Sequence, residues 1–507
     1  MGSDTATAVA AAVASGAVGA AAVLAEHVER HAASHGRLNA LVQPRHEAAG
    51  REAAVVDARL RDAAAGPLAG VPVSVKECFA VGGLETTLGI PHRRGRIDAD
   101  DAGIVAALRA AGALVVGKAN VPQAMFLHET DNPVWGRTNH PEAADRGPGG
   151  SSGGDAALVA AGVVPLGVGN DLAGSVRQPA HACGIVGFIP AAARLGDGGA
   201  FLTLPHLTVM RARAGFLARC VDDVALACAA TGSLGGPAPA DGLRVAWWDT
   251  AGPLEPSAAI RRGVAEAVER LARAGAAVER VDGGLADEAA WIHLALVSAD
   301  GGADIRRLFG ADRPIPPVAR LLRIAGVPRW IRPLLAAAAD AAGSRLEARA
   351  LRHTGPRAGT ALERLLDERR DVARRFATLT AGFHAIVCPV SALPALRHGT
   401  AGRLVLAAAP CLLANLLDLP SGTVPVTRVR PEEEGGRAAS RDPLVVEAAA
   451  TDRGSRGLPV GVQVVGVPGT AGGGVDPGRV VLDVMRLIER PLGPPGTGAA
   501  VGAFPPA

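Results

Sequence analysis

The sequence has no tyrosine, and aromatic residues make up only 3% of its 507 positions. A mechanism that needs a tyrosine as acid or base is therefore excluded, and the core has to be built from aliphatic side chains and alanine. Apolar residues reach 49%, which is enough for a large core. Because 52 basic residues stand against 49 acidic ones, the net charge of +3 is too small to indicate a nucleic-acid partner.

The six cysteines are scattered and form no C-x-x-C pair. This pattern predicts buried free thiols in a reducing compartment rather than a disulfide framework. Residues 5–23 are uncharged, but no basic stretch precedes them, and alanine is too weakly apolar to hold a membrane span. We therefore expect a cytoplasmic protein that begins with a pair of helices. No cluster of His, Cys or carboxylates has metal-ligand spacing, so we expect neither a metal nor another cofactor.

The most distinctive stretch is residues 147–190, in which a short apolar run separates two serine-containing clusters. The first cluster, residues 149–154, is rich in glycine, so its backbone can turn sharply and approach another group closely. The second cluster, residues 170–177, offers consecutive backbone N–H groups beside the hydroxyl of Ser175. An oxyanion pocket next to a nucleophile requires such an arrangement.

Lys76 ends the apolar stretch 71–75, which predicts a buried strand. Burial of a lysine is unfavourable unless the amine is paired or neutral, and burial among uncharged polar groups would lower its pKa. Such a lysine suits the role of proton acceptor. For this stretch taken alone, an edge lysine that reaches solvent is the alternative, and Lys118 is a competing base candidate.

Lys76, Ser151 and Ser175 stand 75 and 24 positions apart, and their three motifs strongly resemble the signature of the amidase signature family of serine hydrolases. The resemblance implies that Ser175 is the nucleophile, that Ser151 follows a cis peptide bond and relays a proton, and that Lys76 is the base. It implies hydrolysis of carboxylic amides through an acyl-enzyme. It also implies backbone N–H groups that hold the oxyanion, an ion pair that fixes their loop, and a second serine that steadies the lysine. These supporting residues are Leu172, Ala173 and Gly174 in the oxyanion pocket, the pair Asp171 and Arg177, and Ser152.

Two positions depart from the family pattern. Ala173 stands where the family has glycine, and a positive φ there would add strain of about 1 kcal/mol. Ile189 stands where the family has a non-catalytic lysine, which predicts altered packing. A weakly active or non-catalytic relative is therefore an alternative.

Several further stretches resemble the fatty acid amide hydrolase branch of the family. This closer resemblance implies that Met125 and Phe126 contact the substrate, and that fatty acid amides or other N-acyl amides are cleaved. An amidotransferase-type subunit that acts on glutamine is the alternative. The stretches are residues 76–79, 120–126, 131–136 and 417–427.

Residues 314–345 combine leucines and Trp330 with five arginines, of which four precede Asp340, and no acidic residue follows Pro314 until Asp340. Two short helices are predicted, with a break near Gly326. The segment falls where the fatty acid amide hydrolase branch carries a membrane-binding cap, so it predicts peripheral membrane contact through residues 316–335. A cap or homodimer face with solvated arginines is an equal alternative.

Residues 149–153 also fit G-x-S-x-G, the nucleophile elbow of α/β-hydrolases. That fold would require an aspartate and a histidine downstream, and His181, His206 and His384 lie in no recognisable motif. A phosphate-binding loop is excluded because no G-K-[S/T] follows the glycines.

The alternation of strand and helix patterns predicts an α/β protein with a large, mixed and mostly parallel twisted sheet between helical layers. This agrees with the fold that the family resemblance implies. We expect one catalytic domain over residues 67–490, preceded by a helical segment over residues 1–66. Residues 491–507 are rich in proline and glycine and are expected to be disordered.

Overall fold

The computed structural model describes residues 5–60, 66–236, 242–469 and 475–489. Within these ranges the chain forms one 11-stranded mixed sheet, a two-stranded ribbon and helices that flank the sheet. The strands are β1 (Leu41–Pro44), β2 (Pro72–Lys76), β3 (Leu114–Ala119), β4 (Asp131–Asn132), β5 (Gly136–Arg137), β6 (Leu166–Asp171), β7 (Val186–Ile189), β8 (Arg213–Ala218), β9 (Arg244–Trp247), β10 (Ala277–Arg280), β11 (Ala385–Pro389), β12 (Ser421–Arg428) and β13 (Pro459–Gly466). The helices are α1 (Ala6–Ala14), α2 (Ala20–Leu38), α3 (His46–Leu60), α4 (Gly103–Ala110), α5 (Gly153–Ala160), α6 (Arg177–Cys183), α7 (Ala192–Leu195), α8 (Val221–Ala230), α9 (Ala258–Arg273), α10 (Gly284–Val297), α11 (Ala303–Phe309), α12 (Pro316–Gly326), α13 (Arg332–Ala341), α14 (Arg345–His353), α15 (Thr360–Leu379), α16 (Leu412–Leu416), α17 (Pro443–Asp452) and α18 (Pro477–Ile488).

The large sheet has the strand order β1-β3-β2-β6-β8-β7-β12-β13-β11-β9-β10. Parallel pairing is confined to β3-β2-β6 on one side and β11-β9-β10 on the other. The remaining neighbours are antiparallel. The sheet is therefore mixed, as expected, but the expectation that it is mostly parallel is wrong. The physical reason is that β8 inserts between β6 and β7, and that β12 and β13 pair as antiparallel neighbours.

The N-terminal segment is not purely helical. Its two predicted helices are α1 and α2, but residues 41–44 form β1, which pairs antiparallel with β3 at the edge of the large sheet. The backbone N–H groups of Ala6 and Thr7, at the start of α1, donate to the carboxylate of Asp223 on α8 at 2.8 Å each. The segment is thus built into the same body as the catalytic motifs.

Aliphatic side chains fill both faces of the sheet. Along β3, Val115 belongs to one buried cluster, whereas Leu114 and Val116 belong to another. Such alternation places successive residues of a strand on opposite faces. All six cysteines are unpaired and five are buried, which agrees with the expected free thiols. Ile189, at the unusual family position, is fully buried in β7 and packs in the second cluster.

The arginine-rich segment forms the two expected short helices, α12 and α13, with a break between Gly326 and Arg332. Arg332 is buried and donates to carbonyls at the end of α12, including that of Val327 at 2.8 Å, so it is a structural residue. By contrast, the side chains of Trp330 and Leu334 are 81% and 68% exposed. None of the helices in the described ranges is long and apolar enough to cross a bilayer. The tail that we expect to be disordered lies outside the described residues.

Candidate active site

The three predicted catalytic residues come from adjacent elements. Lys76 ends β2, Ser175 lies between β6 and α6, and Ser151 lies just before α5. Because β2 and β6 are parallel neighbours, their carboxyl ends meet at one edge of the sheet. The N–H of Ser152 donates to the carbonyl of Ser175 at 3.0 Å, so the two serine clusters are joined directly. Ser151 and Ser175 line the same cavity.

The glycines of the first cluster allow this close approach. The Gly150–Ser151 peptide bond is cis, as the family resemblance implies. A Cβ added at Gly153 would lie 2.1 Å from Oγ1 of Thr130, and one added at Gly154 would lie 2.4 Å from the backbone nitrogen of Asn120. The start of α5 therefore packs against backbone and side chain at distances that only glycine permits.

Lys76 is 0% exposed, and burial lowers the pKa of its amine. Its Nζ lies 2.7 Å from Oγ of Ser151, 2.6 Å from Oδ1 of Asn170 and 3.2 Å from the carbonyl oxygen of Asn170. Within the described ranges, no carboxylate lies within ion-pair distance of this amine. The site therefore favours an uncharged lysine, because it supplies hydrogen-bond partners without a counter-charge.

Ser152 does not steady Lys76, contrary to the expectation. Its hydroxyl has no hydrogen-bond partner in the described part of the chain, because the side chain packs against β6, where a Cβ at Gly169 would lie 2.5 Å from Oγ. Asn170 takes the expected role instead. Sequence reasoning missed it because its side chain meets Lys76 only through the pairing of β2 and β6.

The loop that leads to Ser175 offers three free backbone donors, and they are not the three that the resemblance implies. The backbone N–H groups of Leu172, Ala173 and Ser175 make no hydrogen bond to any described residue, whereas that of Gly174 donates to Oδ1 of Asp171 at 2.7 Å. Gly174 is therefore removed from the predicted oxyanion pocket. Gly174 also has the positive φ in this loop, +94°, and a Cβ there would lie 2.9 Å from Cys411. Ala173 has no positive φ, so the expected strain is absent.

The expected ion pair between Asp171 and Arg177 is present and fully buried. Nη2 donates to Oδ1 at 2.9 Å and Nε donates to Oδ2 at 3.0 Å, and Nδ2 of Asn415 also donates to Oδ1 at 3.0 Å. Burial alone would raise the pKa of the Asp171 carboxyl, but Arg177 and these hydrogen bonds hold the pKa well below its usual range. The carboxylate thus ties the start of α6 to the loop that carries Gly174.

A mainly apolar cavity of about 280 Å³ opens onto the two serines. Met125 and Phe126, the predicted substrate contacts, both line it. Further apolar lining comes from the loop before β8 and from α12. These residues are Phe201, Leu204, Leu207, Met210, Leu321 and Ile324.

Two histidines that sequence reasoning missed flank the loop before Ser175. Nε2 of His128 lies 3.0 Å from the carbonyl oxygen of Ala173, and Nε2 of His293 lies 2.9 Å from that of Leu172. Burial lowers the pKa of both imidazoles to about 4. No motif could have identified these residues, since each reaches the loop from a remote part of the chain.

The competing candidates are engaged elsewhere. Nζ of Lys118 forms an ion pair with Oδ2 of Asp98 at 2.8 Å. Nε2 of His181 donates to the carbonyl of Leu393 and its Nδ1 accepts from the N–H of Gly461, and Nδ1 of His384 accepts from a backbone N–H. These contacts favour a structural role for each residue.

The fold brings together one group of possible metal ligands that the spacing along the chain does not indicate. His206, Asp300 and Asp304 place one ligand atom each within 4.8 Å of one another. However, Nδ1 of His206 and Oδ2 of Asp304 already form a hydrogen bond of 2.8 Å. Asp300 accepts from the backbone N–H groups of Gly302 and Asp304 at 2.7 Å each. The group therefore acts as an internally bonded cap at the start of α11.

The family model described as Amidase matches residues 22–471. The chain belongs to the amidase family. It is 32% identical over 457 residues to fatty-acid amide hydrolase 1 of Sus scrofa, an alignment that covers 85% of this chain and 76% of the relative. It is also 38% identical over 213 residues to a glutamyl-tRNA(Gln) amidotransferase subunit of Rhodopirellula baltica, which covers 42% of each.

A solved structure of fatty acid amide hydrolase has a TM-score of 0.79 and 21% identity, and the match covers 96% of this chain and 84% of that one. This likeness confirms the fold expected for the amidase family, a large mixed sheet flanked by helices. The family and its relatives identify the chain as an amide-hydrolysing enzyme. The resemblances to the amidase signature family and to its fatty acid amide hydrolase branch are thereby confirmed.

Proposed function

We propose that this amidase cleaves amides of fatty acids or other apolar acyl groups with Ser175, Ser151 and Lys76 as its catalytic residues. The observation that carries the proposal is the 2.7 Å contact between Nζ of Lys76 and Oγ of Ser151. The contact is buried and has no counter-charge, so the amine favours the neutral form that a base requires.

The mechanism begins when Lys76 accepts the proton of Ser151, which in turn takes the proton of Ser175. The oxygen of Ser175 attacks the amide carbonyl, and the resulting oxyanion is held by the free N–H groups of Leu172, Ala173 and Ser175. Ser151 gives the proton that it took from Ser175 to the nitrogen of the departing amine as the C–N bond breaks, and Lys76 returns its proton to Ser151. Water then cleaves the acyl-enzyme, which releases the acid and restores Ser175.

The lining of the cavity supports an apolar acyl group. Met125, Phe126, Phe201 and Leu204 lie on the same cavity as Ser175, and burial of each methylene of a chain contributes about 0.8 kcal/mol. The relatives named fatty-acid amide hydrolase agree with this chemistry. The preferred substrate is therefore a lipid-like amide rather than a small polar one.

The test combines covalent labelling with turnover. A fluorophosphonate probe should label Ser175, and Ser175→Ala should abolish both labelling and hydrolysis. Lys76→Met and Ser151→Ala should lower kcat by several orders of magnitude, while His181→Gln should retain activity. Undiminished turnover by Ser175→Ala, or loss of chemistry only in the histidine variant, would end the proposal.

A panel of amides from acetyl to long-chain acyl tests the substrate class. We expect kcat/KM to rise with chain length until the cavity is filled. Hydrolysis of a lipid amide by the isolated chain would exclude the amidotransferase alternative, which the similarity to the Rhodopirellula baltica protein suggests. Activity restricted to glutamine would instead establish that alternative.

We also propose that α12 and α13, here called the cap helices, contact a membrane surface. Trp330 and Leu334 are exposed beside the exposed Arg323 and Arg329, a combination that suits the boundary between headgroups and acyl chains. The same cap contributes Ile324 to the cavity lining. A substrate that leaves a bilayer would therefore have a short path to the site.

Flotation with phosphatidylcholine vesicles that contain phosphatidylserine tests this contact. Trp330→Ser combined with Leu334→Ser should reduce the bound fraction at least about tenfold, without loss of kcat on a soluble amide. Val446→Ser, at another exposed apolar residue, is the matched control and should not change binding. If wild type fails to float, or if it dimerises through this face and the double variant is monomeric, the homodimer alternative replaces the proposal.

A further inference from the structure

Consecutive carbonyl groups of the loop before Ser175 are each held by a histidine. Nε2 of His293 lies 2.9 Å from the carbonyl oxygen of Leu172, and Nε2 of His128 lies 3.0 Å from that of Ala173. His293 is on α10, whereas His128 is on the loop before β4. Since a carbonyl can only accept a hydrogen bond, each imidazole is the donor and carries its proton on Nε2.

Both imidazoles are uncharged donors. Burial lowers the pKa of each to about 4, so the rings are neutral at pH 7. In a neutral ring only one nitrogen carries a proton. With that proton on Nε2, Nδ1 of His293 is left without a hydrogen-bond partner among the described residues. The carbonyl contact therefore selects the tautomer.

Because the peptide group is planar, a hydrogen bond to its carbonyl also fixes the orientation of the N–H in the same peptide. In a trans peptide the carbonyl and the N–H point in opposite directions. Holding the carbonyl of Leu172 therefore fixes the direction of the Ala173 N–H, one of the three free donors. Holding the carbonyl of Ala173 fixes the N–H of Gly174, which donates to Asp171 at 2.7 Å.

The peptide between Leu172 and Ala173 has no hydrogen bond to a described residue other than the one from His293, whereas the next peptide is also held by the bond from the Gly174 N–H to Asp171. The loop lies between the end of β6 and the start of α6, outside the hydrogen-bonding ladder of the sheet. Leu172 and Ala173 are only partly buried, because they border the cavity. Without the donor of His293 the Leu172–Ala173 peptide could rotate, and the direction of the Ala173 N–H would be lost; without that of His128 the next peptide would be held only through its N–H.

We propose that His293 is a positioning residue that aims the oxyanion-binding N–H of Ala173, and that His128 supports it by fixing the next peptide of the loop, between Ala173 and Gly174. Each acts through a backbone carbonyl. The inference rests on the proposed function, because it requires an oxyanion to form at this loop. A ring that only filled space would need no donor at Nε2, and this difference makes the inference testable.

The test compares leucine and glutamine at each position. His293→Leu and His128→Leu remove the donor, whereas His293→Gln and His128→Gln retain an amide N–H at nearly the same place. We expect the leucine variants to lose about 10- to 100-fold in kcat with KM within about threefold, less than the 10²–10³-fold cost of deleting an oxyanion donor. The glutamine variants should recover most of that loss.

A trifluoromethyl ketone substrate analogue gives a second readout. It forms a tetrahedral adduct with a serine nucleophile, and its oxyanion occupies the pocket. Its affinity should fall in the leucine variants by about the same factor as kcat. His140→Leu is the matched control, since His140 is also buried and its Nε2 bonds the carbonyl of Ala182 at 2.8 Å, away from the loop. This control should lower the melting temperature without changing kcat per folded enzyme.

The outcomes separate the inference from the function on which it rests. If Ser175→Ala is inactive but the leucine variants keep kcat and inhibitor affinity, only the positioning role is overturned. If glutamine fails to restore kcat in a variant that melts like wild type, or if His140→Leu loses kcat equally, the role is also overturned. Turnover by Ser175→Ala would overturn the proposed function itself.

Discussion

Uncharged groups surround the amine of Lys76. The hydroxyl of Ser151 and two oxygens of Asn170 lie within hydrogen-bond distance of Nζ, and burial lowers the pKa of the amine. Because the proposed base must be neutral, activity should rise with pH as the amine loses its proton. Activity should fall as the pH drops below the lowered pKa.

Asn170→Asp should move this profile to higher pH. The substitution places a carboxylate where Oδ1 now lies 2.6 Å from Nζ, and an opposite charge at that distance raises the pKa of a lysine by about 1–3 units. The amine then stays protonated at neutral pH. The rate of fluorophosphonate labelling, measured against pH, should show its midpoint shifted to higher pH by a similar amount.

Asn170→Ser is the control for this prediction, because a hydroxyl accepts a hydrogen bond without adding charge. It should lower the rate but leave the midpoint in place. A profile that does not move in the aspartate variant would mean that Lys76 is not the group whose ionisation limits activity.

At the level of residues, the sequence predicted the contacts that lie within or between the family's motifs. Lys76 contacts Ser151, and Asp171 forms a buried ion pair with Arg177, as the motifs indicate. Ser152 was misjudged because its neighbours come from another strand. Residues such as Asn170 and His293 act through contacts that depend on strand pairing or helix packing, and no spacing along the chain encodes those.

Histidines fill the contact between α2 and α3. The ring centroids of His27, His31 and His46 lie 5.2 to 6.4 Å from one another, and each ring has a buried Nε2 without a hydrogen-bond partner in the described ranges. Burial lowers the pKa of His27 and His31 from 6.5 to about 4. The helices therefore pack around neutral imidazoles.

This packing should make the fold sensitive to acid. In the unfolded chain His27 and His31 bind protons near pH 6.5, but in the folded chain only near pH 4. Their contribution to stability is therefore complete above about pH 6.5 and is lost as the pH falls towards 4. The free energy of unfolding, measured with urea from pH 7 to pH 4.5, should decrease by about 1–3 kcal/mol for each buried histidine.

His31→Gln should flatten this pH dependence. His384→Gln is the control, since His384 is only partly buried and lies outside this cluster, with its Nδ1 bonded to the backbone N–H of Arg244; its loss should leave the slope unchanged. Equal slopes in wild type and His31→Gln would show that the cluster does not govern the acid sensitivity.

Among the elements, β1 is the one that sequence patterns misassigned. Its four residues lie between two amphipathic helices, and a run this short has too few positions to reveal an alternation. Its stability comes from pairing with β3, in which Leu41 lies opposite Ala119. The two cap helices were predictable because Gly326 and Pro328 interrupt the helical pattern locally.

For the whole molecule, the sequence indicated the layers but not the order of the strands. Apolar runs such as residues 71–75 and 163–168 predict buried strands, yet a strand fully buried on both faces has the same pattern whether its neighbours are parallel or antiparallel. The chain enters the sheet again after α7, and it does so between β6 and β7, where it forms β8. The place at which it enters depends on the packing of the assembled sheet.

The N-terminal segment should be required for the fold of the whole molecule, and deletion of residues 1–44 tests this. The deletion removes β1 from the edge of the sheet, and it removes the buried side chains of Val13, Leu24, Leu38 and Leu41. At about 1.5–3 kcal/mol for each large apolar side chain, the loss is about 6–12 kcal/mol, comparable with the entire stability of a typical domain, about 5–15 kcal/mol.

The truncated protein should therefore be aggregated or unfolded at 25 °C, as measured by circular dichroism and size-exclusion chromatography. Deletion of residues 491–507, which the composition predicts to be disordered, should leave the melting temperature and kcat unchanged. A folded and active protein without residues 1–44 would show instead that the catalytic body is complete without its edge strand.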